Sequence, residues 1–337
     1  MTCAIGNFGA HNIGDDLLLH VLRQNWPEPI DALSYSRRAS VPDAGVWSMH
    51  DGARLRLAPY DTVILGPGGV FPGYAAIPDA WVESGRDALC SEALRGKRVL
   101  ALGVGWFPIA DTRAIFDTRR LLDCAEAILA RDAPMAAVAG PGAVLGPDLA
   151  YGLAVDDRLF GARDNSVLIC PNETPRPMRD TVFEVCTQAA RDYVALGLNP
   201  LLVPCSASFA EVDIILCKEV ADAAGVPWYP TVLTWQEFLP MAARAHSVLT
   251  FRKHAAVMAQ LVGTPSVVWD SRGAFAGLQA EAKGYSVVAG GLGQAAPIGR
   301  DVIAGLVDTV PGDWRARMAT ARARVLESLE AVSHAYA

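Results

Sequence analysis

The stretch Ser247-Val248-Leu249-Thr250-Phe251-Arg252-Lys253-His254 changes character in its middle, and a helical pattern carries on from His254 to Leu261. A short apolar run from Ser247 to Phe251 reads as a buried strand, so a strand ends where a helix with a cationic start begins. Helix starts leave backbone N–H groups without intrahelical acceptors and carry the positive end of the dipole, which favours an anion at this junction. Arg252 beside them can grip a carboxylate or phosphate through paired hydrogen bonds, and His254 can pass a proton to whatever that anion holds. Basic residues at a strand end also describe ordinary solvated surface, and the remainder of the chain has to decide between the two.

Working outward, short apolar runs alternate with helical patterns, the signature of parallel sheets flanked by helices. Strands are predicted at Thr2–Ile5, Ile30–Tyr35, Thr62–Leu65, Arg98–Leu102 and Ala127–Ala130, with helices at Asp16–Gln24, Ala80–Leu94 and Thr112–Leu122. The Gly- and Pro-rich stretch Ala133–Asp157 has little periodicity and reads as the way out of a first domain. The alternation then restarts. Strands Ser166–Cys170, Leu201–Pro204, Ser247–Thr250 and Ser266–Trp269 are interleaved with helices at Asp180–Leu196, Val212–Ala224, Trp235–Ala243 and from His254.

The expected fold is therefore α/β: two doubly wound parallel-sheet, Rossmann-like domains facing a cleft, in a GT-B-like arrangement. The predicted limits are 1–160 for the first domain, 161–312 for the second and 313–337 for a C-terminal helix packed on the protein. In that last segment Trp314, Met318, Val325 and Leu329 form an apolar stripe opposite Arg315, Arg317, Arg322 and Arg324. A docked amphipathic helix with a solvated charged face explains this pattern more simply than a basic membrane-contacting one.

A second loop lies near the start, Gly6-Asn7-Phe8-Gly9-Ala10-His11-Asn12-Ile13-Gly14-Asp15-Asp16, between the first strand and the first helix. Its glycines allow a tight turn and a close approach to a ligand, but their spacing is not that of the dinucleotide fingerprint. Asp15 and Asp16 fit either capping of the helix or a catalytic role. Ligands of open parallel sheets sit beyond the carboxyl ends of the strands, so this loop and the Arg252 loop are each expected to supply one wall of the cleft.

These segments together resemble the polysaccharide pyruvyl transferase family. That family's opening loop reads roughly G-x-x-G-x-x-N-x-G-D-E, matched by Gly6, Gly9, Asn12, Gly14 and Asp15, with Asp16 in the place of glutamate. Its Arg-Leu-His-Ala run is matched by Arg252, Lys253, His254 and Ala255, with lysine for leucine. Asp61-Thr62-Val63-Ile64-Leu65-Gly66-Pro67-Gly68-Gly69 resembles D-x-x-I-x-G-G-G, with Pro67 for glycine, and Ala130-Arg131-Asp132 resembles V-R-D. Gly263-Thr264-Pro265 is similar to G-V-P, and Trp269-Asp270-Ser271-Arg272 falls where Y-D-x-K stands in the family, with arginine for lysine. The likeness runs from about residue 3 to 285 in the family's order.

The resemblance implies transfer of a pyruvyl group from phosphoenolpyruvate to a sugar diol as a ketal, in the synthesis of a cell-surface polysaccharide or glycoconjugate. The implied general acid is His254. Arg131 and Arg252 would hold the carboxylate and phosphate, and Lys253 or Arg272 would add positive charge. Asp16 or Asp15 would receive the hydroxyl proton or orient the sugar, and Asn12, Gly14 and Gly68 would line the substrate. The first domain takes the acceptor side and the second the donor side. The implied partners are phosphoenolpyruvate and a saccharide, free or lipid-linked, with at most peripheral membrane contact. Two alternatives stay open: a GT-B glycosyltransferase using a sugar nucleotide, and a non-catalytic binding relative of the same fold.

Composition bounds these readings. With 337 residues and 52% hydrophobic content, the chain can bury two ordinary cores. A net charge of −7 gives no general attraction to nucleic acid, so cations for an anionic substrate must be concentrated locally. Seven cysteines without C-x-x-C spacing read as reduced core residues, and no metal-ligand spacing or cofactor motif is evident. The longest apolar stretch, Val99 to Ala110, falls short of the about 20 residues a membrane span needs, and no basic and apolar leader opens the chain. The sequence predicts a soluble cytoplasmic enzyme.

Overall fold

A computed structural model describes residues 1–9, 11–34, 45–46, 57–68, 94–106, 119, 122–173, 178–208, 211–269, 286–289 and 312–335. The chain separates into two compact units, one made of Met1–Ala10, Asp15–Gly152 and Ala321–Ala337, the other of His11–Gly14 and Leu153–Thr320. The division falls after Gly152, eight residues before the expected limit at 160, and four residues of the glycine loop cluster with the second unit. The expected helices at Ala80–Leu94 and Thr112–Leu122 fall on a part of the chain that lies, all but a few residues, outside the described ones.

The first unit holds strands β1 (Thr2–Gly6), β2 (Ile30–Ser34), β3 (Gly45–Val46), β4 (Thr62–Leu65), β5 (Arg98–Val104), β6 (Ala127–Ala130) and β7 (Ala143–Leu145). They form one sheet in the order β3-β2-β1-β4-β5-β6-β7, and every pair is parallel. Thr2 lies opposite both Ile30 and Thr62, so the order reverses at the β1–β4 pair. Residues of β1 and β4 are buried at every position, as expected of strands covered on both faces. One side of the sheet packs Cys3, Ile5, Val63, Leu65, Val99 and Ala101 into a single cluster. Helix α1 (Ile13–Asn25) buries Leu17, Leu18, Val21 and Leu22, the apolar face that its spacing announced.

A helix and a strand, besides a short 3-10 helix at Leu149–Gly152, sit in the stretch that the sequence assigned to an irregular exit. Helix α2 (Ala133–Ala139) follows Asp132, whose carboxylate accepts a hydrogen bond from the Met135 N–H, with proline in the first turn. Strand β7 then closes the sheet edge. The helix has one buried side chain, Met135, so no apolar period was there to read. The capping aspartate ahead of a proline was the usable signal.

The second unit holds β8 (Ser166–Cys170), β9 (Asn199–Leu202), the short antiparallel pair β10 (Ala207–Ser208) and β11 (Glu211–Val212), β12 (Ser247–Thr250), β13 (Ser266–Trp269) and β14 (Ser286–Ala289). Its sheet runs β14-β13-β12-β8-β9, again all parallel. Helices α3 (Met178–Ala195), α4 (Asp213–Ala224), α5 (Trp235–Arg244) and α6 (Lys253–Leu261) belong to this unit. Val182, Cys186, Tyr193, Leu216 and Cys217 from α3 and α4 share one core cluster with Val167, Ile169, Leu249 and Val267 from the strands. Helix α6 is buried from Ala255 to Leu261, which accounts for its run of small and apolar residues.

The C-terminal helix α7 (Trp314–Ala335) buries Met318, Ala321, Val325 and Leu329 at helical spacing. A Cβ on Gly263 would lie 2.7 Å from the Trp314 ring, and Phe160 meets that ring edge-on at 5.3 Å. Among the described residues no helix is long and apolar enough to cross a membrane. Free cysteines Cys3, Cys170, Cys186, Cys205 and Cys217 are buried, and burial pushes the Cys3 thiol up to about 12.

One consequence for stability follows from His246, just ahead of β12. Desolvation, and then the charge of Arg163, hold its pKa below the ordinary 6.5. The unfolded chain therefore binds this proton more readily than the folded one, so the stability tied to neutral His246 is present above about pH 6.5 and declines below it. A His246→Gln variant should show a flatter loss of Tm between about pH 7 and about pH 5 than the parent chain. Parallel profiles would show that His246 does not contribute.

Candidate functional site

In an open parallel sheet the place for a ligand is beyond the carboxyl ends of the strands where their order reverses. In the second unit that point lies at the β8–β12 pair, since β9 follows β8 on one side and β12 is laid down on the other. Thr250 ends β12 and is fully buried. Its hydroxyl accepts a hydrogen bond from the Arg252 N–H at 2.8 Å and donates to the Arg252 carbonyl at 3.0 Å, which turns the chain into α6. Arg252 is the N-cap residue in extended backbone, and no side chain caps the helix. Helix α6 thus begins at Lys253, one residue before the expected start at His254.

The Arg252 side chain is not simply presented to solvent. Its Nε donates to Asp213 Oδ2 at 3.0 Å and its Nη2 to Asp213 Oδ1, a side-on pairing of two planar groups. Asp213 opens α4 and is fully buried. Its carboxylate also accepts from the backbone N–H groups of Glu173 at 3.1 Å, Cys205 at 3.2 Å and Ser206 at 2.9 Å. One carboxylate therefore ties together the segments after β8 and β9 and the start of α6. In the sequence Asp213 looked like any acid in a first helical turn, and nothing local to it announced a partner at residue 252.

The backbone of residues 205–207 also receives the glycine loop. Ile13 donates to the Cys205 carbonyl at 3.1 Å, Ala207 donates to the His11 carbonyl at 2.9 Å, and Asn12 forms an antiparallel bridge with Ser206. The Asn12 side chain accepts from the Gly14 N–H at 3.1 Å. Gly14 then lies flat against the imidazole of His254: a Cβ placed on it would stand 2.0 Å from Nδ1 and 2.5 Å from Cγ of that ring. Lys253 and His254 are neither buried nor fully exposed. Asn12, Gly14, Arg252, Lys253 and His254, picked from opposite ends of the chain, are thus brought into one neighbourhood of the second unit.

The contact with Gly14 yields a sharp expectation. A Gly14→Ala change must displace the imidazole and also press on the His254 Cβ, 2.8 Å from the added methyl, so it costs some stability and ruins the aim of the ring. Misplacing a reacting group by about 1 Å can cost about 100-fold in rate. We expect a modestly lowered Tm and, in the protein that remains folded, a loss of that order in turnover. Equal turnover in the two proteins would mean that His254 is not held for chemistry.

Asp15, Asp16, Gly68 and Arg131 belong to the first unit. Asp15 is buried at 8% exposure and accepts from the Asn7 side-chain amide at 3.1 Å, and Asp16 Oδ1 accepts from the Gly9 N–H at 2.8 Å. Both carboxylates therefore shape the turn after β1. Gly68, with φ of +109°, puts its backbone where a Cβ would stand 2.8 Å from Asp15 Oδ1. These groups lie at the β1–β4 reversal, the point in this sheet equivalent to the one at Arg252. Arg131 is buried at 7% exposure, with Nη1 3.5 Å from Asp148 and Nε 3.8 Å from Asp132. Both flanking carboxylates are committed elsewhere too, Asp132 to the start of α2 and Asp148 to the Ala150 N–H. Arg272 lies outside the described residues.

Comparison with solved structures gives the same architecture. UDP-GlcNAc 2-epimerase from Methanocaldococcus jannaschii matches with a TM-score of 0.59 at 8% identity, over 99% of this chain and 100% of that one. The Neisseria meningitidis UDP-GlcNAc 2-epimerase bound to UDP-GlcNAc matches with a TM-score of 0.55 at 10% identity, over 99% and 98%. Anabaena HepE in complex with UDP-glucose matches with a TM-score of 0.56 at 12% identity, over 98% and 94%. At such identities the likeness concerns the fold, which is GT-B, with two parallel α/β sheets. No curated protein sequence matches at a significant level. The sequence does match one family, over residues 12–271, a span that takes in the end of the glycine loop from Asn12 on, Asp213, Arg252 and His254 and covers well over half of the chain. On that span the chain belongs to the polysaccharide pyruvyl transferase family.

Proposed function

We propose that the chain moves a pyruvyl group from phosphoenolpyruvate to two hydroxyls of a saccharide as a ketal, in the cytoplasm, on a free or lipid-linked acceptor. The observation that carries this reading is the pairing, in a member of this family, of a guanidinium held by a buried carboxylate with an imidazole two residues on, at an uncapped helix start. The chemistry asks for those groups. A proton must reach the methylene carbon of the donor, turning it into a methyl group and leaving positive charge on the adjacent carbon. The two hydroxyls then add to that carbon in turn and give up two protons, one restoring the proton that the acid delivered and one going to the phosphate, as the bond from the carbon to the phosphate oxygen breaks and hydrogen phosphate leaves with that electron pair. His254 delivers the first proton. Arg252 and Lys253, with the first-turn N–H groups of α6, hold the donor's anionic groups and stabilise the departing phosphate. Arg131, enclosed by Asp132 and Asp148, is better suited to bracing the first unit than to gripping the donor.

A second reading is a sugar-nucleotide-dependent transferase, favoured by the nucleotide-bound proteins that share the fold. Thermal shift separates the two, because a ligand of the folded state at about 100 times its Kd adds about 2.7 kcal/mol of stability. Phosphoenolpyruvate should raise the Tm and UDP or UDP-glucose should not. A shift with the nucleotides alone would replace the proposal with the second reading.

A further inference from the structure

Asp213 has no counterpart among the residues that the motifs single out, yet more of the site converges on it than on any of them. It receives the Arg252 fork, the N–H of Glu173 after β8 and the N–H groups of Cys205 and Ser206 after β9. The same Cys205–Ser206 segment anchors Asn12 and Ile13, and the next residue of the loop, Gly14, backs the His254 ring. A guanidinium on a long side chain is costly to hold in one direction, and pairing its Nε–Nη2 edge with a buried carboxylate fixes its plane before any ligand arrives.

We propose that Asp213 is the positioning residue of the donor site, setting the orientation of Arg252 and, through the Cys205–Ser206 backbone, the seat of the His254 imidazole. This rests on the reading of the site as one for phosphoenolpyruvate. Asp213 does not touch the donor. It acts by keeping the guanidinium aimed and by holding the carboxyl ends of β8, β9 and β12 in register with the glycine loop.

A merely structural Asp213 would matter for folding alone, so the test separates fold from donor affinity. Asp213→Asn keeps the shape and one acceptor oxygen while removing the charge that orients Arg252. Asp213→Glu keeps the charge but shifts it by one methylene, and serves if the asparagine variant does not fold. In whichever variant retains the parent's circular dichroism spectrum, kcat/KM for phosphoenolpyruvate should fall about 100-fold, mostly through KM, with KM for the acceptor unchanged. In an Arg252→Gln background the Asp213→Asn change should add nothing further to the loss of donor affinity.

A folded variant whose donor affinity matches the parent, or losses that simply add in the double variant, would overturn the proposal. Equal rises in KM for donor and acceptor would also count against it, as a sign of general loosening. Failure of the unaltered protein to bind phosphoenolpyruvate overturns this inference and the functional reading together. Binding by the unaltered protein with no change in the variants overturns the inference alone.

Discussion

Replacing His254 by alanine is expected to lower turnover by about 100- to 10,000-fold, the range over which a positioned general acid contributes, while leaving the affinity for phosphoenolpyruvate within a few-fold of the parent. His254 stands in the first turn of α6 with its ring on Gly14, two residues beyond the guanidinium that is to hold the donor. Removing the imidazole takes away the proton source and none of the anion's other partners. Calorimetric titration with phosphoenolpyruvate, set beside phosphate release under the same conditions, reads the two effects separately. Turnover that survives the substitution would remove His254 from the chemistry, and affinity lost together with turnover would make it a binding group instead.

The second large effect is expected at Arg252, and it reaches beyond binding. An Arg252→Gln change leaves the carboxylate of Asp213, fully buried, without its counter-ion. Breaking a buried pair from one side costs about 3–5 kcal/mol. The Glu173, Cys205 and Ser206 N–H groups still bond that carboxylate, which places the loss toward the lower end. Chemical denaturation should show it as a lowered midpoint, and donor affinity should fall at the same time. Adding Asp213→Asn should recover part of the stability and none of the affinity. An Arg252→Gln protein as stable as its parent would mean that the pairing is not formed as described.

The contrast between these two residues shows what the sequence could and could not tell. The strand–helix junction at Arg252 was legible because both elements announce themselves locally: Ser247–Thr250 is an apolar run, and α6 follows at helical spacing. The strands of both sheets were legible for the same reason, apart from β3, β7 and the edge strand β14. Asp213 was hidden because its role depends on a residue 39 positions away that reaches it through the fold. The attachment of residues 11–14 to the second unit was hidden likewise, since it is made by backbone hydrogen bonds to residues 205–207, which no side-chain pattern encodes. The surroundings of Arg131 were legible only in part. Of the two acids that stand against it, Asp132 is its neighbour in the chain, whereas Asp148, 17 positions on, reaches it only through the fold.

The chain carries seven more acidic than basic groups, and the cation most central to the proposed chemistry is itself matched by a carboxylate. Attraction of a doubly charged donor therefore cannot rest on net potential. On the proposed chemistry it rests on directed donors held by buried partners, where hydrogen bonds to charged groups are strongest.

The most direct measurement follows carbon rather than phosphate. Phosphoenolpyruvate labelled at its methylene carbon is incubated with the protein and a panel of saccharides bearing neighbouring or 4,6-related hydroxyl pairs, and the products are read by NMR. The account predicts that the label appears as the methyl group of a cyclic ketal on one of the sugars, in step with the phosphate released. Phosphate released with the label recovered only in free pyruvate, or no consumption of phosphoenolpyruvate beside any saccharide, would contradict it.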